Sequence, residues 1–169
     1  MKVNRCRRLS LVFLALCGFF VFIEVSLTGE GPNYTLIRDG LYLGGYVKAP
    51  PRGTKAVLNL CELADPYKVE AHVWESIKDT TPAPSIDWLK KQVKFIDDQR
   101  QAGKTVYVHC RNGVSRSGMV VVAYVMYKDK LPRDKALALV RTKRAITRPN
   151  PAFMERLAEW ERVLEIGKK

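Results

Sequence analysis

Residues 109–117, HCRNGVSRS, combine a cysteine, a glycine and an arginine in one short segment. The segment follows an apolar run, Thr105–His109, that predicts a buried strand, and it precedes an apolar stretch, Ser117–Tyr127, that predicts a buried helix. Gly113 permits a tight turn, so successive amides can point inward and bind an anion at the start of that helix. The sequence therefore predicts a phosphate-binding loop made of Arg111, Asn112, Gly113, Val114, Ser115 and Arg116.

Cys110 and Arg116 carry the chemistry of this loop. The planar guanidinium of Arg116 can hold two phosphoryl oxygens at once. Inward-pointing amides, the helix N-terminus and Arg116 together favour a thiolate, which lowers the pKa of Cys110 below that of a free cysteine. A thiolate facing a bound phosphorus is a nucleophile, so we predict Cys110 as the nucleophile and Arg116 as the phosphate-binding arginine. A buried structural cysteine is the alternative.

This Cys-x5-Arg motif, preceded by His and followed by Ser, resembles the signature of the cysteine-dependent protein tyrosine phosphatase superfamily, and within it the dual-specificity branch. LYLGG at 41–45, VLNL at 57–60 and RAITRPNPAF at 144–153 also resemble that branch, so the likeness spans roughly residues 34–165. The resemblance implies an α/β fold with a central mixed sheet flanked by helices. It also implies a reaction without metal or cofactor, in which a phosphocysteine forms and water hydrolyses it.

The same resemblance implies a general acid, an aspartate on a mobile loop upstream of the nucleophile. Asp79 lies 31 positions before Cys110, within WESIKDTTPAP. Two prolines keep that segment out of a helix. Asp87 is the alternative acid, although it falls in the first turn of a predicted helix, where a carboxylate has a structural reason to be. We predict Asp79 as the acid.

Further residues receive supporting roles from the resemblance. Ser117 is expected to hydrogen-bond the thiolate and assist its departure, His109 to support the loop, and Asn150 to steady the acid. Arg111 is either a solvated charge or a cation that faces acidic substrates. Cys61 lies in a segment, NLC, that resembles lipid phosphatases in which such a cysteine forms a reversible disulfide with the nucleophile. We favour a buried core cysteine, and the disulfide is the alternative.

Residues 1–28 read as a membrane anchor or signal segment. Four basic residues precede an apolar run from Leu9 to Ile23, and its extension to Leu27 gives nineteen residues that include Glu24. We predict an uncleaved span that places the catalytic domain outside the cytoplasm by the positive-inside rule. A signal peptide cut near Thr28 is the alternative, and the protein would then be secreted or periplasmic.

The remaining chain is predicted as a linker, residues 29–33, and one phosphatase domain, residues 34–169. Asp39-Gly40 between two apolar runs indicates a hairpin, and residues 64–84 read as a long loop. Strands alternate with helical patterns, which is typical of a sheet flanked by helices. The remaining predicted elements are a strand over 55–60 and helices over 85–103, 132–141 and from Asn150-Pro151 onward.

Charge and composition restrict the ligands. The formal net charge is +12, and the part after residue 27 keeps +9 because four basic residues and Glu24 are removed. Such a surface favours anionic ligands without choosing among phosphoesters, nucleic acid and acidic lipid. No nucleic-acid-binding motif is present, so no nucleic acid partner is expected. His72 and His109 are the only histidines and no CxxC pair occurs, so no metal site is expected.

The sequence therefore predicts a phosphatase whose partners are phosphorylated proteins, with phosphotyrosine and phosphoserine/threonine as substrates. Hydrolysis of phosphoinositides or other phospholipids at the membrane is the second interpretation, favoured by the anchor and the basic domain. A non-catalytic module that binds phosphorylated ligands is the third. The presence of a nucleophile and an acid together disfavours the third, because a pure binder needs neither.

Overall fold

The computed structural model describes residues 32–166, so the predicted membrane segment, linker residues 29–31 and residues 167–169 lie outside the described part. The strands are β1 (Tyr34–Arg38), β2 (Leu41–Gly44), β3 (Thr54–Asn59), β4 (Ala71–Trp74) and β5 (Thr105–His109). The helices are α1 (Ile86–Gln101), α2 (Arg116–Asp129), α3 (Arg133–Lys143) and α4 (Pro151–Val163).

The five strands form one mixed sheet in the order β1-β2-β5-β3-β4. β1 and β2 are an antiparallel hairpin, whereas β2, β5, β3 and β4 run parallel. Parallel strands end at the same edge, and His109 at the end of β5 pairs with Gly44 on one side and Asn59 on the other. Loops that follow these strands therefore meet at one edge of the sheet.

Helix α2 is the centre of the helical layer. It contacts the other three helices as well as β2 and β5. Its residues from Arg116 to Met126 are all buried, which explains why its sequence is apolar nearly all round. Because α2 begins directly after the Cys110 loop, the core fixes the position of the loop's C-terminal end.

Alternate residues of β5 face opposite sides of the sheet. Val106 and Val108 belong to the hydrophobic core together with the buried residues of the helices. The Tyr107 ring instead stacks on His109, with centroids 5.0 Å apart, and meets the Tyr34 ring edge-on at 6.0 Å. An aromatic cluster therefore supports the end of β5 on this second face.

The structure confirms the hairpin, the buried strand β5, the helix after the Cys110 loop and the overall α/β class. It corrects one prediction: residues 64–84 are not all loop, because Ala71–Trp74 form β4. Only alternate residues of β4 are partly buried, and the strand exists because it pairs in parallel with β3. Four residues that depend on such a non-local partner give little local signal.

No helix within residues 32–166 is both long enough and apolar enough to cross a bilayer. The predicted anchor lies outside these residues and stays a prediction.

Candidate active site

Most main-chain amides of the loop between β5 and α2 have no acceptor within residues 32–166. The amides of Gly113 and Ser117 face the Cys110 sulfur. The other amides from 111 to 116 donate no hydrogen bond to any described residue, although most buried amides in proteins are paired. A cup of unpaired donors at a helix N-terminus suits a phosphoryl group, whose oxygens are acceptors only.

The carbonyl groups of the same loop are bonded outward. Arg111 O accepts from Tyr46 N at 2.9 Å, and Val114 O accepts from Arg148 N at 2.9 Å. Arg144, 7% exposed, donates from Nε to Gly113 O at 2.9 Å. These bonds fix the carbonyls away from the centre of the loop, so the amides are held pointing inward before any ligand binds.

Gly113 has a φ of +68°, a conformation that favours glycine. A Cβ on Gly113 would lie 2.3 Å from the carbonyl carbon of Gly44, so the backbones of the two segments are in direct contact. The LYLGG segment at the end of β2 therefore forms the floor beneath the loop.

The Cys110 thiol is 2% exposed and lies 3.2 Å from Ser117 Oγ. Burial raises the pKa of Cys110. The Ser117 hydroxyl, the amides of Ser117 and Gly113 and the charge of Arg116 outweigh burial, so the pKa lies below the ordinary thiol value. The thiolate predicted from the sequence therefore has a physical basis in the structure.

Arg116 is held along one edge. Its Nη1 donates to Glu62 Oε2 at 3.1 Å, to Ile77 O at 3.2 Å and to Leu60 O at 3.4 Å. Its Nε is buried and has no hydrogen-bond partner among the described residues. A buried donor without an acceptor is costly, and a bound phosphoryl oxygen would satisfy it.

Asp79 lies beside this free Nε. Its Oδ2 is 3.9 Å from Arg116 Nε, and its Oδ1 accepts from Ser115 Oγ at 2.6 Å and from Asn150 Nδ2 at 2.8 Å. Ser115 Oγ also accepts from Asn150 N at 3.0 Å, so three residues close a small network. The structure thus brings Asp79 to the loop.

Asp87 has a different position. It lies in the first turn of α1, where Ser85 is the N-cap residue. Among the described residues, none of the hydrogen bonds or ion pairs at the Cys110 loop involves Asp87. Its surroundings fit the structural role of an acidic residue at a helix start.

Glu62 is a site residue that the sequence analysis missed. It follows β3 and bonds Arg116 through Oε2, while its Oε1 pairs with Arg111 Nη1. Its own amide and the hydrogen bond from Arg116 lower the pKa of Glu62 to about 2, and Arg111 adds to this effect. Arg111 is therefore neither a free solvated charge nor an unpaired cation at the site.

A second missed residue, Asp65, lies beneath the loop with a fully buried side chain. Its Oδ2 lies 3.2 Å from His109 Nε2, 2.9 Å from His72 Nε2 and 3.1 Å from Asn59 Nδ2. Burial raises the pKa of Asp65, but the hydrogen bonds and charges of its partners, His109 first, lower it overall. The buried carboxylate therefore orients His109.

One signal could have indicated Glu62 and Asp65. Both follow β3, and the ends of parallel strands meet at one edge of a sheet, next to the end of β5. Charged side chains directly after a buried parallel strand are candidates for the site.

Cys61 and Cys110 are both free and buried. Burial raises the pKa of Cys61, which is the opposite of the shift at Cys110. Cys61 belongs to the hydrophobic core, as the favoured interpretation predicts, and the disulfide between the two cysteines stays a hypothesis.

Comparison with known proteins agrees with this geometry. The family model described as "Dual specificity phosphatase, catalytic domain" matches residues 41–163. The chain belongs to this family. Among its relatives, protein 123R of Invertebrate iridescent virus 6, whose name describes a tyrosine phosphatase, is 34% identical over 77% of this chain and 93% of its own length.

Dual specificity protein phosphatase 1 of Homo sapiens is 33% identical over 72% of this chain. This phosphatase domain spans 35% of that relative's length. The crystal structure of PTPMT1 in complex with PI(5)P has the same fold, with a TM-score of 0.71 at 21% identity, covering 81% of this chain and 99% of that one. The family assignment makes the chain a cysteine-based phosphatase.

The buried polar network under the loop gives a stability prediction. Asp65→Asn removes the charge that pairs with His109 and His72, and we expect it to lower the free energy of unfolding by about 2 kcal/mol near pH 7. The native pKa of Asp65 lies below its ordinary value. The stability that the charged carboxylate adds is therefore fully present above the ordinary pKa and is lost as the pH falls through the native pKa.

Urea unfolding of both proteins between pH 7 and pH 3 measures the effect, and the difference should narrow below about pH 4. Asp39→Asn, in the exposed hairpin turn, is the matched control and should change little because Asn-Gly also suits that turn. A constant difference across this pH range would contradict the assignment of a native charge to Asp65.

Proposed function

We propose that this phosphatase hydrolyses phosphotyrosine and phosphoserine/threonine in proteins through a phosphocysteine at Cys110. The observation that supports it most is the position of the Cys110 sulfur, which faces inward amides and Ser117 at the bottom of the loop. In the first step a lone pair on sulfur forms the S–P bond while the P–O bond to the leaving group breaks.

Charge on the three spectator oxygens is stabilised by the amides of 111–116 and by the Nε edge of Arg116. Because Glu62 and two carbonyls bind Nη1, the guanidinium has a fixed orientation before substrate arrives. The loop needs little reorganisation to bind a phosphoryl group.

Asp79 is proposed as the general acid. It is 38% exposed at the side chain, whereas Cys110 is 2% exposed, so the acid stands at the mouth and the nucleophile at the bottom. A protonated Asp79 donates its proton to the leaving oxygen, and its carboxylate then accepts a proton from the water that attacks phosphorus. Ser115 and Asn150 hold the carboxylate at this place.

Ser117 is proposed to assist the second step. When water cleaves the S–P bond, the electron pair returns to sulfur, and Ser117 Oγ at 3.2 Å can donate a hydrogen bond to the departing thiolate. His109 supports the loop from below through Asp65 and does not reach the reacting atoms in this mechanism.

Phospholipid hydrolysis is the second candidate, because PTPMT1 shares the fold and was crystallised with PI(5)P. At 21% identity that likeness concerns the fold alone. Relatives named as tyrosine and dual specificity phosphatases favour protein substrates.

The nucleophile can be tested by Cys110→Ser. We expect turnover of an aryl phosphate to fall at least about a thousandfold, because a neutral hydroxyl replaces a thiolate. Binding of inorganic phosphate, measured by calorimetry, should persist because the amides and Arg116 remain. Cys61→Ser is the matched control and should keep its activity; turnover by Cys110→Ser at the wild-type rate would remove Cys110 from the mechanism.

The acid can be tested by leaving-group dependence. Asp79→Ala should reduce kcat/KM for an alkyl phosphate about a hundredfold more than for a nitrophenyl phosphate, since only the poor leaving group needs protonation. Asp87→Ala is the matched control. If Asp87→Ala shows this selectivity and Asp79→Ala does not, the acid is Asp87.

We also propose that residues 1–28 anchor the protein in a membrane, with the catalytic domain outside the cytoplasm. The support is the sequence: basic residues followed by an apolar run. Alkaline carbonate extraction should leave the full chain in the membrane fraction and release a chain that lacks residues 1–28. Release of the full chain, or a mature N-terminus near Thr28 by mass spectrometry, would contradict the anchor.

A further inference from the structure

We propose that Glu62 is a specificity-determining residue that makes this phosphatase prefer a singly phosphorylated site over one with a second phosphate beside it. The inference rests on the proposed function of the Cys110 loop. Three observations support it: the fixed backbone at Glu62, the contacts of its carboxylate with Arg111 and Arg116, and the exposed apolar side chains nearby.

The backbone around Glu62 is fixed. Asn59 is buried, its Oδ1 accepts from Cys61 N at 2.9 Å, and its Nδ2 donates to Leu63 O at 2.8 Å. Leu60 N also donates to His109 O at 2.9 Å. The two neighbours of Glu62 are thus tied to the end of β3, so its carboxylate stays beside the Cys110 loop.

The Glu62 carboxylate contacts both arginines of the loop, and the two arginines differ in exposure and in which donors stay free. Arg116 is 10% exposed at the side chain and keeps its Nε edge free, whereas Arg111 is 52% exposed and is bound by Glu62 Oε1. Arg111 is the loop's exposed cation, and it would otherwise attract a second phosphate. With Glu62 ionised at every assay pH above its pKa of about 2, the charge of Arg111 is locally neutralised.

Two effects would therefore oppose the binding of a second phosphate near Arg111. It would compete with Glu62 for Arg111 Nη1, and it would lie next to a carboxylate of the same sign. A single phosphate avoids both, because it binds the amides and the Nε edge of Arg116. Glu62 is half exposed, at 49% of its side chain, so its carboxylate is accessible to groups of a bound substrate.

Two apolar side chains near the Glu62 segment, Leu63 and Trp74, are exposed. Trp74 is 49% exposed, and its Nε1 donates to Cys61 O at 2.8 Å, which holds the indole against the same segment. Leu63 is 38% exposed. This side of the mouth suits an uncharged or apolar residue next to the phosphorylated one.

Two peptides that differ by one phosphate test the proposal: Thr-x-phosphotyrosine and phosphothreonine-x-phosphotyrosine. The readout is kcat/KM for phosphate release from tyrosine by the full chain, followed by mass spectrometry. The wild type should prefer the singly phosphorylated peptide. Glu62→Gln should raise the ratio of kcat/KM for the doubly phosphorylated peptide to kcat/KM for the singly phosphorylated peptide by about tenfold. The reason is that the amide frees Arg111 and removes the repulsion. The ratio is insensitive to any loss of Arg116 positioning that affects both peptides.

Two further variants isolate the cause. Glu62→Gln combined with Arg111→Gln should keep only the part of the gain that comes from removing the repulsion, because the freed cation is absent. Glu75→Gln changes the same charge at a carboxylate that accepts from Gln92 Nε2 at 2.8 Å, and it should leave the ratio unchanged. A shift in Glu75→Gln equal to that in Glu62→Gln would assign the effect to net charge and overturn the proposal.

An unchanged ratio in Glu62→Gln, or a wild type that prefers the doubly phosphorylated peptide, would also overturn it. Calorimetric binding of both peptides to Cys110→Ser, with and without Glu62→Gln, gives the same ratio without turnover. A wild type that hydrolyses neither peptide nor an aryl phosphate would instead contradict the proposed function, and the binding ratio would still decide the role of Glu62.

Discussion

The phosphate loop depends on one constraint: its carbonyls are bonded outward so that its amides are left pointing inward. Tyr46 supplies one of these bonds, and Arg144 and Arg148, from the segment between α3 and α4, supply the others. Gly113 adds the close backbone contact with β2 that permits the turn. Because these bonds form on folding, the stability of the domain maintains the electrostatic field that favours the Cys110 thiolate.

The sequence predicted well the features that depend on residues close together in the chain. It predicted poorly the features that depend on contacts between distant residues. The motif 109–117, the hairpin and the helix caps depend on residues close in sequence, and the structure shows a loop, turn and helices there. Strand β4 was missed because only its pairing with β3 makes it a strand. Glu62 and Asp65 were missed because each binds a loop residue at least 44 positions away and neither lies in a recognised motif. Arg144 lies in the RAITRPNPAF segment, but its contact with Gly113, 31 positions away, gives no local signal.

The assignment of Asp79 over Asp87 shows where structure adds to spacing. Both aspartates lie upstream of the nucleophile, and the prediction ranked them by helix position. The structure separates them by contacts, since Asp79 bonds Ser115 and Asn150 whereas Asp87 stays in the first turn of α1. Asn150 serves twice, because its Oδ1 also accepts from Phe153 N and caps α4. The same side chain therefore links the position of Asp79 to the start of a core helix.

The segment after β3 connects the two halves of the site. Glu62 binds the arginines above the loop, and Asp65, three residues later, binds His109 below it. Asn59 bonds both ends of this segment, through Cys61 N and through Asp65 Oδ2. Two carboxylates of one short turn therefore control different properties, substrate charge at the mouth and loop support underneath. Because a single buried amide side chain fixes the turn, a change at Asn59 would disturb both properties together, whereas changes at either carboxylate separate them.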